Sequence, residues 1–405
     1  GDPQTLIENL QAFDVGAGML VYKYYHLGRL HLHAGNPEAA IKAFRNGQLI
    51  EPGSLFIVKA LGDTLMATGK FDEAEAVFNG FLNLNANSLL VHDALKQASQ
   101  KKQIMLPEQT TRRDLAEVMY GLASMMVGQE VNMTARQFLH LALMAQSEHQ
   151  MARFMLGLLE EQDGNTQRAT SNYEKVKKGA APYLAAQTRM SEILFKTGEA
   201  EQAITNLKRL IDDYPDVVYL NQPLAQIYYD QQNYQEAIKH YTALINTFEN
   251  PNRRHAPVFF ARGAAHERMK NYEEASQDMK TSLELEPNNP VVLNYLGYMW
   301  LDQGQNLDDA YGYIRQAAHL RPHDGAIVDS LGWVYYQKGQ FETAIRYLEK
   351  AVSLLPNDPV INMHLGDAYH KKGRTQEALV KWQRALSLEP EEPEHVERLK
   401  KLIAQ

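Results

Sequence analysis

The chain contains no cysteine, which removes disulfides, thiolate-bound zinc and a cysteine nucleophile together. It leaves the redox compartment open, because such a chain suits cytoplasm or periplasm equally. Glycine and proline are modest, 25 and 16 of 405 residues, too few for a collagenous or low-complexity chain. Nowhere do 18 apolar residues run together, so no segment reads as a membrane-spanning helix. Positive charge is not in excess either. Lys and Arg number 41 against 49 Asp and Glu, a net charge of −8, which argues against a phosphate-backbone ligand, and nucleic acid is not an expected partner. The sequence opens Gly-Asp-Pro with neither Met nor a charged-then-apolar leader, so any export signal or anchor is expected upstream of these residues.

What is present is a folding composition, 44% hydrophobic and 22% charged, organised as a repeat. A Leu-Gly pair is followed by a turn glycine and, twelve positions after the first Gly, by a small residue; the period is about 34 residues. The clearest copies are Leu331-Gly332 with Tyr335, Gly339, Ala344, Leu348, Ala351 and Pro356, and Leu365-Gly366 with Tyr369, Gly373, Ala378, Trp382, Ala385 and Pro390. Leu296-Gly297 heads the same unit with one residue inserted before Ala310. Further back the first Gly corresponds to Gly263, Ala225, Ser191, Gly157, Gly121, Gly62 and Gly28, giving ten units. The 59 positions from Gly62 to Gly121 are too long for one period; they hold a further helix at about 89–101 and a break at 102–112. Each unit carries apolar residues at helical spacing on both sides of a turn, so each predicts two antiparallel helices of about 14 residues. The small residues let the helices approach, and Pro52, Pro215, Pro287, Pro322, Pro356 and Pro390 stop the second helix by withholding an amide donor.

These residues resemble the tetratricopeptide repeat. The resemblance implies an all-α helix-turn-helix solenoid, a right-handed superhelix whose concave groove is lined by the first helix of each unit. The expected segments are 1–101, a break or linker at 102–112, a main array at 113–393 and a C-terminal capping helix at 394–405. In that helix Glu394 and Glu397 come early and Lys400 and Lys401 late, the order a helix dipole favours. Residues 3–13 read as the tail of an earlier unit, with an N-terminal cap as the alternative. Gly28, Gly62, Gly157, Gly297, Gly332 and Gly366 are the structural residues of the repeat.

No motif of catalysis or phosphate binding occurs: there is no G-x-x-x-x-G-K-[ST], H-E-x-x-H or G-x-S-x-G. No cofactor or metal is expected. His26, His31 and His33 are close in sequence, but His31 occupies a packing position of the repeat; Asp308-Asp309 and Glu391-Glu392 read as solvated surface, and Lys101, Lys102, Arg112 and Arg113 as a solvated linker. Seven of 15 methionines, Met119, Met125, Met126, Met133, Met144, Met151 and Met155, cluster, filling gaps or offering an adaptable surface. The groove positions of three successive units read Asn294, Tyr298, Leu301; Asp329, Trp333, Tyr336; and Met363, Asp367, His370. Two carboxylates without Lys or Arg there disfavour the carboxylate clamp of chaperone-binding repeats. The aromatics offer anchors for a peptide or partner helix, or pack sideways into the next unit. The candidate partner-binding set is Tyr229, Phe260, Asn294, Tyr298, Asp329, Trp333, Tyr336, Asp367 and His370, with Trp382 as core.

Leu293-Asn294-Tyr295-Leu296-Gly297-Tyr298, the run from Leu320 through Asp329-Ser330-Leu331-Gly332-Trp333, and His364-Leu365-Gly366-Asp367-Ala368-Tyr369 resemble exported proteobacterial repeat proteins. That resemblance implies a non-enzymatic scaffold or adaptor, periplasmic with cytoplasmic as the alternative, holding a protein or peptide in its groove. Some such proteins present substrates to a C-terminal processing protease; lipoprotein members are anchored through a Cys that this chain lacks. The alternatives are a self-assembling, homo-oligomeric scaffold and an enzyme whose helical array forms a substrate tunnel.

Overall fold

Helix pairs form where the apolar spacing demands them. The computed structural model describes residues 2–85, 88–106, 108, 110–390 and 392–404; Pro107 of the expected break and Glu391 of the carboxylate pair lie outside the described residues. Among the described residues the regular structure is helical throughout, with no strand. Contacts divide the chain into two compact units, Gly1–Gln231 and Gln232–Gln405.

The first unit comprises α1 (Pro3–Ala12), the pair α2 (Leu20–His33) and α3 (Pro37–Ile50), the pair α4 (Leu55–Ala67) and α5 (Phe71–Leu84), and the lone α6 (His92–Ser99). After these come the pairs α7 (Thr111–Gly128) with α8 (Asn132–Ala145), α9 (Gln150–Gln162) with α10 (Thr166–Tyr173) and α11 (Tyr183–Lys196) with α12 (Ala200–Asp213), then α13 (Asn221–Asp230). The second unit begins with α14 (Tyr234–Ile245) and continues with α15 (Ala256–Arg268) and α16 (Tyr272–Leu285), α17 (Pro290–Asp302) and α18 (Leu307–Leu320), and α19 (Gly325–Gln337) and α20 (Phe341–Leu354). It ends with α21 (Pro359–Lys371) and α22 (Thr375–Ser387), followed by α23 (Pro393–Ile403).

Within a pair the crossing is set by volume. A Cβ on Gly366 would stand 2.5 Å from Trp382 Cδ1, and one on Gly332 would stand 2.8 Å from Leu348 Cγ. Gly28 meets Phe44, Gly62 meets Phe78 and Gly157 meets Tyr173 in the same way, each sixteen residues on. Gly297 meets Ile314 one residue later, the insertion before Ala310 having moved the partner. Gly121 does not belong to this set. Its nearest neighbour is the Tyr22 ring at 3.8 Å, an ordinary contact, and the crossing residue is Ala123, fully buried like Ala135 and Leu139. Ala123 lies 34 residues before Gly157, so the period is kept and the long interval ends two residues later than the Leu-Gly spacing suggested. Alanine substitutes for glycine there because only bulk is excluded.

The segment 102–112 lies inside the first unit rather than at the division of the chain. Side chains bridge across it. Tyr25 donates its hydroxyl to Glu117 at 2.8 Å and Arg29 pairs with Asp114 at 2.9 Å, tying α2 to α7 over the break. The expected helix at 89–101 is the shorter α6. The methionine cluster divides: Met119, Met126, Met151 and Met155 pack against one core, while Met133 and Met144 are exposed. His33 stands 3.6 Å from Asp114.

Candidate functional site

The first helices α17, α19 and α21 contact one another in succession, so their shared face collects side chains from three repeats. Asp324 and Asp358 cap α19 and α21 by accepting the Ile327 and Ile361 amides at 3.3 and 2.9 Å, which fixes the rotation of each helix about its axis. A cavity of about 430 Å³ opens on this face. Asn294, Tyr298, Asp302 and Gln303 line it from α17 and its end, Asp329 and Ser330 from α19, and Glu392 and His395 from the start of α23. Asn294 Oδ1 and Gln303 Nε2 are shut off from water there without a hydrogen-bond partner. Burial pushes the Tyr298 phenol well above the ordinary tyrosine range, and the charges of Asp329, Asp302, Glu392 and Asp358 push it further. That phenol stays protonated, and the surroundings that hold it so are acidic.

The structure brings together only part of the expected set. Asn294, Tyr298 and Asp329 line the cavity. Trp333 is not among the lining residues and stacks with Tyr336 at 4.4 Å and with His364 at 4.0 Å, each nearly parallel. Phe260 stands edge-on to Tyr295 at 5.4 Å, half-buried in the second unit, as Tyr229 is in the first. His370 is exposed, its ring 5.3 Å from Trp382.

The two groove carboxylates are not a bare repelling wall. Asp329, 5% exposed, faces His364 Nδ1 at 2.9 Å. Asp367, 3% exposed, accepts Trp382 Nε1 at 3.0 Å and Arg398 Nη2 at 2.6 Å. Asp367 therefore ties α21 to α22 and α23 and offers no free oxygen. Burial draws the His364 pKa down, but the Asp329 charge and hydrogen bond more than offset it and raise it above the usual histidine value. Sequence reasoning missed His364 and Arg398 because each acts across a repeat boundary, one from the position before a Leu-Gly pair and the other from the capping helix. Asp302 and Gln303 were missed for another reason: they end α17, where the repeat register alone suggests solvent. Among the described residues no group of three or more His, Asp or Glu side chains is placed to hold a metal ion, and no helix is long and apolar enough to cross a membrane.

Stacked helix pairs, small residues at each crossing and a polar first-helix face define a helical-repeat protein of the tetratricopeptide class. Residues 24–53 match the tetratricopeptide repeat itself. Residues 134–402 match the family described as the cilia and flagella-associated protein 70 C-terminal domain, about two thirds of the chain, and the protein belongs to that family. The TPR repeat-containing protein PA4667 of Pseudomonas aeruginosa is 30% identical over 203 residues, covering 48% of this chain and 32% of its own; the match thus spans about a third of that relative's length. Among solved structures, the hetero-tetramer Cut9-Hcn1 of APC/C matches 95% of this chain and 90% of its own, with a TM-score of 0.53 at 12% identity, which bears on the fold alone. MamA from Desulfovibrio magneticus matches 42% of this chain and 94% of its own, with a TM-score of 0.37 at 21% identity.

Proposed function

We propose that the protein is a non-enzymatic scaffold or adaptor that holds a segment of a partner protein on the face of α17, α19 and α21. The observation that carries this reading is the cavity beside Tyr298, where Asn294 Oδ1 and Gln303 Nε2 are buried without partners. Buried polar atoms left unpaired cost about 1–3 kcal/mol each, and a bound segment that pairs them recovers that cost. The lining carries five carboxylates, Glu267, Asp302, Asp329, Asp358 and Glu392, against Arg268, and this excess fits a partner side chain that is positive, a Lys or Arg whose stem lies along the Tyr298 ring. Among the described residues Asp302 enters no ion pair, and it is the carboxylate left to answer that charge. The resemblance of the Asp329–Trp333 run to exported proteobacterial repeat proteins supports a periplasmic adaptor that presents substrates to an envelope protease.

The test is capture of a partner from envelope extract, followed by titration of the identified segment with purified variants. Tyr298→Ala and Asp302→Asn are each expected to weaken binding about tenfold or more while circular dichroism is unchanged, since an interface anchor contributes ~2 kcal/mol on truncation. Undiminished binding by both folded variants would remove this face from the function.

A further inference from the structure

In the first unit four polar side-chain atoms are buried without a hydrogen-bond partner around one cavity: Arg29 Nε, Arg113 Nε, Gln146 Oε1 and His149 Nε2. The cavity holds about 280 Å³. It is walled by α2, α4 and α7, by the α8–α9 junction and by the turn carrying Ala180, Ala181 and Pro182. One buried orphan is a local compromise of packing; four that converge on a space large enough for a small molecule call for an occupant.

The sense of the hydrogen bonds is fixed by the neighbours. His149 Nδ1 accepts the Ala152 amide at 3.1 Å, so the ring proton sits on Nε2 and that nitrogen is a donor. It stands 3.5 Å from Glu117 Oε2, close enough for an electrostatic contact but too long for a well-formed hydrogen bond. With the two guanidinium Nε–H groups, three donors therefore face the cavity against one acceptor, Gln146 Oε1. The charges are nearly all answered within the protein. Arg29 pairs with Asp114 at 2.9 Å, Lys59 with Asp63 at 2.5 Å, and Glu148 with Lys177. Glu117 accepts from Tyr25 at 2.8 Å and lies 4.0 Å from Arg29. Among the described residues Arg113 has no carboxylate within ion-pair distance, and burial together with the like charge of Arg29 holds its pKa below the usual arginine value. What the cavity lacks is acceptor oxygen for these three donors, one of them on Arg113.

We propose that this cavity binds a small molecule through a single oxyanion group, a carboxylate or a phosphate, held by Arg113, Arg29 Nε and His149 Nε2, with Gln146 Oε1 accepting from a hydroxyl or amide of the same ligand. Such a ligand touches both α2 and α7 and so braces the helices on either side of the 102–112 segment.

The experiment is calorimetric titration and thermal melting of the full chain with sodium acetate or sodium phosphate, ionic strength being matched with sodium chloride. A saturable heat and a rise in melting temperature that follows saturation are expected for at least one anion. Response to acetate alone assigns a carboxylate, and response to phosphate alone assigns a phosphate. Arg113→Gln, which keeps polarity and removes the charge, is expected to weaken binding tenfold or more; Arg112→Gln, at an exposed neighbour, is expected to bind as the parent does. If Arg113→Gln does not fold, the His149 imidazole resonance of the parent protein serves instead and must move saturably with the anion. No saturable response to either anion, or equal binding by folded Arg113→Gln, overturns the proposal and leaves the cavity to water.

Discussion

A residue in the left-handed region closes the turn seven positions after each crossing residue. Glycine fills it at Gly35, Gly69, Gly164, Gly198, Gly304, Gly339 and Gly373, but Glu130, Gln232 and Lys270 take the same conformation with φ of 61°, 61° and 62°. The turn after α15 is completed by the Lys270 amide on the Glu267 carbonyl at 2.8 Å and the Asn271 amide on the His266 carbonyl at 2.9 Å, as Gly339 and Gln340 complete the turn after α19. A side chain in this region costs about 1–2 kcal/mol, so Lys270→Gly is expected to stabilise the second unit by about 1 kcal/mol, read as a higher melting temperature. The opposite substitution belongs to the crossings. Gly366→Ala drives a methyl against the Trp382 indole and is expected to cost about 1–3 kcal/mol; a pair of melts in which Lys270→Gly is neutral or Gly366→Ala is tolerated would refute the two assignments.

At the scale of elements, the first unit interrupts its repeat without parting there. Met105 is 93% exposed, so a protease reaches the 102–112 segment readily, and we propose it as the first site of limited cleavage. The bridges Tyr25–Glu117 and Arg29–Asp114 join the two sides. Nicked protein is therefore expected to elute from gel filtration at the volume of the intact chain, and separate fragments would show that the bridges do not hold. The repeat was legible in the sequence at this scale because its signals are local: Leu-Gly, the turn residue, the alanine twelve on and the proline after the second helix. The Gly121 reading slipped because Tyr120-Gly121 carries only the glycine of the Leu-Gly signal, whereas burial of Ala123 follows from the turn at Glu130, whose left-handed backbone no glycine announces.

For the whole molecule, stability should respond to pH through two buried pairs, one in each unit. Burial alone would raise the Glu117 pKa, but the His149 contact, the Arg29 charge and the Tyr25 hydroxyl together bring it down to about 2. A carboxylate lowered in the folded state contributes stability above its unfolded value near 4.5, and that contribution is lost as pH falls toward 2; the shift corresponds to roughly 3 kcal/mol. His364 has the opposite sign. Its pKa is raised in the folded state, so its contribution is complete below the unfolded value near 6.5 and disappears as pH rises through the folded one. Melting temperatures followed from pH 3 to 9 are expected to fall at the acid end in the parent but less in Glu117→Gln. Above pH 6.5 a further loss is expected in the parent that is absent from His364→Gln; matching profiles in parent and variants would refute these roles.

The sequence by itself determined the helix pairs, their order and the residues at most crossings, because a helix stripe, a turn and a close approach are specified by residues within 34 positions of one another. It also supplied Asn294, Tyr298 and Asp329 as lining residues of one face. Only the tertiary structure decided what those residues meet. Asp329 meets His364 of the next repeat, Asp367 meets Arg398 of the capping helix besides Trp382 of its own pair, Trp333 stacks with rings of its own helix and of the next repeat, and Arg113 reaches a cavity shared with α2, α4 and the α8–α9 junction. Periodicity places a side chain on a helix; whether it is paired, covered or left open depends on the neighbouring element against which that helix packs.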